Sequence, residues 1–143
     1  MAWVYRETPL CFVTFCTHDR APLLACAEAD EALRVAAAKV HAAGNAVGRY
    51  VLMPDRAHVF LRIGRDGRLG LAVKCLREEV TKRLRQKHRG VQVWQAGFTD
   101  HVLRSADSYA AKWAYVRDNP VRAGLCATAE EWPCQGEMTP LEW

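Results

Sequence analysis

The stretch YVLMPDRAHVFLRI, Tyr50 to Ile63, reads as two strands joined by a turn at Met53-Pro54-Asp55. Strand two is expected over Val47–Met53 and strand three over Ala57–Ile63, and so short a link makes them a hairpin. Side chains alternate along a strand, so Val59, Leu61 and Ile63 share one face and His58, Phe60 and Arg62 the other. Just past the turn, Arg56 and His58 stand two residues apart and point the same way. An arginine and a histidine side by side at the start of an otherwise apolar strand ask for an explanation.

Working outward, LCFVTFCT (Leu10–Thr17) is rich in β-branched and aromatic residues and predicts the first strand. Asp30–Ala43 places Leu33, Ala37 and Val40 at helical spacing, with Gly44-Asn45 as its stop. After the loop GRDGR (Gly64–Arg68), a helical stripe runs through Leu69, Val73, Leu76, Val80 and Leu84, and Gly90 ends that helix. Its remaining faces carry Lys74, Arg77, Lys82, Arg83 and Arg85, diluted by Glu78 and Glu79. Val91–Trp94 and Phe98–Leu103 read as short strand-like pieces interrupted by Gln95-Ala96-Gly97. Ser105 then caps a last helix bounded by Pro120. From Cys126 on, residues 126–143 are expected to wrap the surface, anchored by Trp132 and Trp143.

The order strand, helix, strand, strand, helix, strand, with an extra C-terminal helix, is the split-βαβ, ferredoxin-like order of an α+β domain. It predicts an antiparallel sheet with the first two helices on one face. The other face is left for function or for the last helix. The fold class hosts RNA readers, small-molecule binders and nucleases, so it does not decide the activity.

With 143 residues, half of them hydrophobic, residues 1–143 suit one domain with a real core. No run is apolar for the ~20 residues a membrane span needs, and MAWVYRETPL lacks a signal-peptide core; the expected place is the cytoplasm. Six cysteines without a C-x-x-C pair read as reduced thiols rather than as disulfides or a zinc site. A net charge of +4 permits a nucleic-acid partner without demanding one.

Two places carry candidate chemistry. In SADSYAAKWAYVRDNP (Ser105–Pro120), Tyr109, Trp113 and Val116 form a core stripe. Ser108, Lys112, Tyr115 and Asn119 form a second, polar stripe. Tyr115 thus has a lysine one turn before it and an amide one turn after it. It is either a half-exposed tyrosine packing over the helix end or a nucleophile. A phenol of pKa ~10 attacks poorly at neutral pH. It needs a cation, a base or a metal nearby, which Lys112 or an ion held partly by Asn119 would supply. On the strand, His58 is either a structural histidine or a ligand. Two histidines at i, i+2 would signal a metal, because both rings point to one side. A histidine and an arginine do not, since a guanidinium offers no lone pair and keeps its charge.

FVTFCTHDRAPLL (Phe12–Leu24), YVLMPDRAHVFL, WQAGFTDHVLRSADSY (Trp94–Tyr109) and above all YVRDNPVRAGL (Tyr115–Leu125) resemble the successive blocks of the REP-associated tyrosine transposases. These are members of the HUH single-strand DNA nuclease superfamily, and the resemblance covers nearly the whole chain. It implies a ferredoxin-like fold and a helical tyrosine that attacks single-stranded DNA and keeps the 5′-phosphate. It also implies a magnesium or manganese ion held by two histidines and a side-chain oxygen one turn after the tyrosine. By position the nucleophile falls on Tyr115, the oxygen ligand on Asn119 and the second histidine on His58. The first histidine falls on Arg56, where the chain departs from the family pattern M-P-[ND]-H-x-H.

That departure has a cost. A site keeping His58 and Asn119 has two protein ligands where the family has three. At ~4 Å and an effective dielectric of ~20, each unit of like charge costs about 4 kcal/mol, so ion binding is expected to be weak or absent. Asp55 steps in only if the turn is irregular there. Basic residues flank the site: Arg56 and Arg62 on the strand, Lys112 on the helix, Arg117 and Arg122 beyond, and Lys74 and Arg77 on the second helix. Phe60, Trp94 and Phe98 are candidate platforms for unpaired bases. The expected partner is single-stranded or hairpin DNA, and a homodimer is compatible with it. Two roles stay open. In one, Tyr115 nicks and rejoins DNA, with Arg56 stabilising charge at the phosphate. In the other, a DNA-binding protein has lost its metal site and with it cleavage. An unrelated ferredoxin-like RNA binder would leave the Tyr115–Leu125 block unexplained.

Overall fold

The computed structural model describes residues 8–141. At its centre, β1 (Leu10–Cys16) pairs antiparallel with β3 (Arg56–Arg62) along its whole length, from Leu10 opposite Arg62 to Cys16 opposite Arg56. β2 (Ala46–Met53) lies on the far side of β3 and β4 (Thr99–Leu103) on the far side of β1. A short β5 (Gln135–Glu137) adds to β2, so the order is β4-β1-β3-β2-β5. The first four strands form the ferredoxin-like sheet that the element order predicts.

Two helices, α1 (Ala27–Ala42) and α2 (Leu69–Leu84), cover one face. Their buried stripes, including Leu33, Val40, Val73, Leu76 and Val80, meet Val13, Phe15, Leu52, Val59 and Leu61 of the sheet. The other face is not left open. α3 (Ala106–Arg117) lays Tyr109 and Val116 over Leu10, Phe12, Val51, Met53 and Phe60. The sheet is therefore buried on both sides, which is why β1, LCFVTFC, reads as almost continuously apolar.

Several local features differ from simple alternation. Val47 and Tyr50, three residues apart, both face the α1/α2 core, because the β2–β3 register shifts between them. Such a bulge turns the strand by one residue. It also allows a close approach, since a Cβ on Gly48 would lie 2.5 Å from Leu141 Cδ1. Val91–Trp94 does not form the expected strand; only a bridge between Trp94 and Thr17 remains. Gly90 and Gly97, at φ 73° and 78°, turn the chain on either side and leave room for little more.

Ser105 caps α3 as expected. Its Oγ accepts from Ser108 N at 3.0 Å, and its own N donates to Ser108 Oγ at 3.1 Å, a reciprocal capping box. Pro120 does more than bound that helix: it sits in the first turn of a short α4 (Asn119–Arg122), where its missing N–H costs nothing. The tail is more than a wrap. It contributes β5, Trp132 donates its indole N–H to Leu52 O at 2.9 Å, and Leu141 joins the core under α3. Trp143, the other expected anchor, lies outside the described residues. All six cysteines are free thiols, and burial pushes Cys134 up to about 11. No helix among the described residues is long and apolar enough to cross a membrane.

Phe60 tests the α3 face. It is fully buried, and its ring meets those of Phe12, Tyr109 and Trp113 at 5.1, 5.1 and 6.1 Å. Phe60→Ala is expected to cost about 3–5 kcal/mol of stability in urea unfolding. A loss under about 1 kcal/mol would mean that this face is not packed as described.

Candidate functional site

The β1–β3 register places Thr14 opposite His58 and Cys16 opposite Arg56. His58 is 8% exposed and stacks on Phe12, with centroids 5.5 Å apart and rings 17° from parallel. Arg56 Nε lies 3.2 Å from His58 Nε2. An arginine nitrogen only donates, so Nε2 is the unprotonated acceptor. The proton is then on Nδ1, which donates to Thr14 Oγ1 at 2.8 Å. Arg56 is itself held by Asp55, whose Oδ1 accepts from Nη1 at 2.9 Å. Asp55 therefore does reach the station, as a partner of the arginine, and it offsets part of the repulsion expected there.

On the other side, Tyr115 stands out from α3, 63% exposed. Arg122, one turn into α4, lies across it: its Cζ is 3.8 Å from the ring centroid and its Nη2 donates to Tyr115 O at 2.7 Å. The same Nη2 donates to Asn119 Oδ1. Lys112 extends over the Phe12 ring, its Nζ 5.2 Å from the centroid. Neither Lys112 nor Arg122 makes an ion pair among the described residues.

These pieces act on one another. The pKa of His58 falls from its ordinary 6.5 to about 4, first because it is buried and then because of Arg56, with Lys112 and Arg122 adding to the effect and Asp55 opposing it. Lys112 and Arg122 are thus close enough to the strand histidine to repel its proton. Arg122 links that histidine electrostatically to the tyrosine it covers. The result is a cationic station of Arg56, Lys112 and Arg122 around a neutral imidazole and an exposed phenol.

The donor set does not fit a divalent cation. His58 Nε2 accepts from one guanidinium and Asn119 Oδ1 from another. No group of three or more His, Cys, Asp or Glu side chains among the described residues could hold an ion. The same three cations suit an anion rather than a cation.

The other basic residues distribute differently. Arg62 is 3% exposed on the α3 face of β3 and so is not a surface contact. Arg117 is paired with Glu130. Lys74 and Arg77 lie on α2, across the sheet from Tyr115. Phe60 is core, whereas Trp94 and Phe98 remain half-exposed. What the sequence reading missed is the double role of Arg122. Its spacings of three from Asn119 and seven from Tyr115 are helical neighbour spacings that pointed to it.

His58 gives a pH dependence with a definite sign. The unfolded imidazole takes up a proton below about 6.5 while the folded one stays neutral down to about 4. Stability is therefore full above pH ~6.5 and falls as pH drops towards 4, by about 3 kcal/mol at most from this residue. Ring NMR shifts of His58 are expected to stay flat between pH 8 and 5.5. A titration midpoint near 6.5 would contradict the packing.

No protein-family model matches the chain. A Haemophilus influenzae protein inferred to be a REP-associated tyrosine transposase is 24% identical over 64% of this chain, and the match spans 62% of that relative's length. Among solved structures, a REP-associated tyrosine transposase bound to a REP hairpin superposes with a TM-score of 0.71 at 21% identity, over 95% of this chain and 85% of that one. A protein of Deinococcus radiodurans inferred to be a transposase gives a TM-score of 0.56 at 19% identity, over 76% and 88% of the two chains. The chain is thus similar in sequence to a REP-associated tyrosine transposase and shares the fold of one.

Proposed function

We propose that the protein is a DNA-binding member of the REP-associated tyrosine transposase family whose tyrosine chemistry is impaired. Its ligand would be hairpin DNA with a single-stranded flank; the solved neighbour is bound to a REP hairpin. One observation carries the reading: each atom that the family pattern would offer to a metal accepts a hydrogen bond from an arginine. A metal in such a site would polarise the scissile phosphate and fix its geometry. Arg56, Lys112 and Arg122 supply positive charge for a phosphodiester, through guanidinium forks and an ammonium. They do not supply an ion's fixed coordination. Tyr115 in this reading is a surface over which the backbone passes, stacked beneath Arg122.

Binding to hairpin oligonucleotides is expected to weaken steeply with salt, because it rests on phosphate contacts. Native protein is expected to form little or no covalent Tyr115–DNA adduct, with or without manganese. Arg56→His alone frees one ligand atom but leaves Asn119 held by Arg122. The double variant R56H/R122Q frees both. Manganese binding by calorimetry should therefore be tighter in the double variant than in R56H. If Tyr115 is correctly placed, a metal-dependent adduct should follow and vanish on adding Tyr115→Phe. Robust, chelator-resistant cleavage by native protein would instead favour Arg56 as the catalytic cation.

A further inference from the structure

Away from Tyr115, across the sheet, the exposed side of α2 and the segment before β4 enclose a groove of about 530 Å³. It runs from Gly70 to Arg85, roughly 22 Å at 1.5 Å per residue. Its walls hold four cations, Lys74, Arg77, Lys82 and Arg85, against one carboxylate, Glu78. Its floor holds two half-exposed aromatic rings, Trp94 and Phe98. Trp94 is fixed in place: its indole N–H reaches Thr81 Oγ1 at 2.8 Å and Arg77 O at 3.2 Å, and its ring meets Phe15 edge-on at 5.2 Å. Arg77 lies over both rings, with Cζ 5.4 Å from the Phe15 centroid and 5.7 Å from that of Trp94. Lys74 and Lys82 have loose pairings with Glu78 and Glu79 at 3.9 and 3.8 Å, while Arg85 has no carboxylate partner among the described residues. Aromatic faces lined by an excess of cations are what unpaired bases and their phosphates require.

The groove also connects to the cationic station. Thr17, just past β1, donates its N–H to Asp55 O at 2.9 Å on one side and bridges to Trp94 on the other. Asp55 is the residue that holds Arg56. Trp94 and the Arg56 turn are thus two strand spacings apart, about 10 Å, at the same end of the sheet. A strand leaving the station at Arg56 has only to round the end of β1 to enter the groove.

We infer that this groove binds the single-stranded flank of the hairpin DNA, with bases on Trp94 and Phe98 and phosphates on Lys82, Arg85 and Lys74. The inference rests on the DNA-binding reading above and adds to it a second, separate site. Neither Lys82 nor Arg85 belongs to the station at Tyr115, so the two can be tested apart.

The experiment compares a blunt hairpin with the same hairpin carrying a short thymidine flank or an abasic flank, by fluorescence anisotropy over a salt series. Native protein is expected to bind the thymidine-flanked hairpin more tightly than the other two. K82Q/R85Q should lose that advantage, keep blunt-hairpin affinity, and reduce the log–log salt slope for the flanked hairpin by about 1.4, at ~0.7 per phosphate. Phe98→Ala should cost about tenfold for the thymidine flank and nothing for the abasic one. Photocrosslinking from 5-iodouracil in the flank should map to Trp94 or Phe98. Equal affinities for blunt and flanked hairpins, an unchanged slope in K82Q/R85Q, or a crosslink elsewhere would overturn the groove while leaving hairpin binding intact. Abasic flanks bound as well as thymidine would overturn base stacking. No binding of any hairpin by native protein would overturn both readings together.

Discussion

The antiparallel ladder between β1 and β3 is the constraint from which the rest of the molecule follows. It runs unbroken from Leu10–Arg62 to Cys16–Arg56, and both its strands are covered on both faces. A one-residue slip would exchange the two faces of either strand. Val59 and Leu61 would then leave the helical core, and His58 and Phe60 would enter it. The same register that satisfies the cores sets Thr14 beside His58, and it ends β3 where Arg56 can turn back onto the ring. Packing and site geometry are thus set by one alignment.

The station that results is shaped by desolvation as much as by charge. His58 is buried, so its imidazole stays neutral, and three nearby cations reinforce that state. A neutral imidazole has one lone pair to give, and Arg56 takes it. Asn119 is in the same position under Arg122. Guanidiniums tolerate this role because they are planar, permanently charged and weakly hydrated. Asp55 offsets part of the repulsion by pairing with Arg56, while Lys112 and Arg122 have no carboxylate partner among the described residues. Under the proposed function, such a site would hold a phosphate rather than coordinate a cation.

The hairpin, the four main strands, the three long helices and their order were legible from periodicity and turn residues. So was the split of Tyr109, Trp113 and Val116 from Tyr115, because the helical period assigns them to different faces. The β2 bulge was not legible, since a register shift depends on the partner strand and on Leu141, almost a hundred residues away. The reduction of Val91–Trp94 to a single bridge was missed because apolar composition does not reveal where positive-φ glycines turn the chain. β5 was missed because Gln135-Gly136-Glu137 has no strand character of its own. It is a strand because β2 offers an unpaired edge beside it.

The sequence by itself determined which residue types stand at the positions the resemblance marks: an arginine where it implies a ligand, a histidine two residues on, a tyrosine with an amide one turn later. From these alone came the expectation of a weak metal site, since charge and lone pairs belong to the residue and not to its surroundings. Only the tertiary structure decided what those residues do to one another. That Arg56 hydrogen-bonds the histidine it stands beside, that Asp55 holds Arg56, and that Arg122 covers Tyr115 while engaging Asn119 are matters of distance and direction. Burial likewise removed Arg62 from the surface and sent Lys74 and Arg77 to the opposite side of the sheet. Such outcomes depend on which elements the cores bring together, and the spacing of residues along one strand or helix does not contain that information.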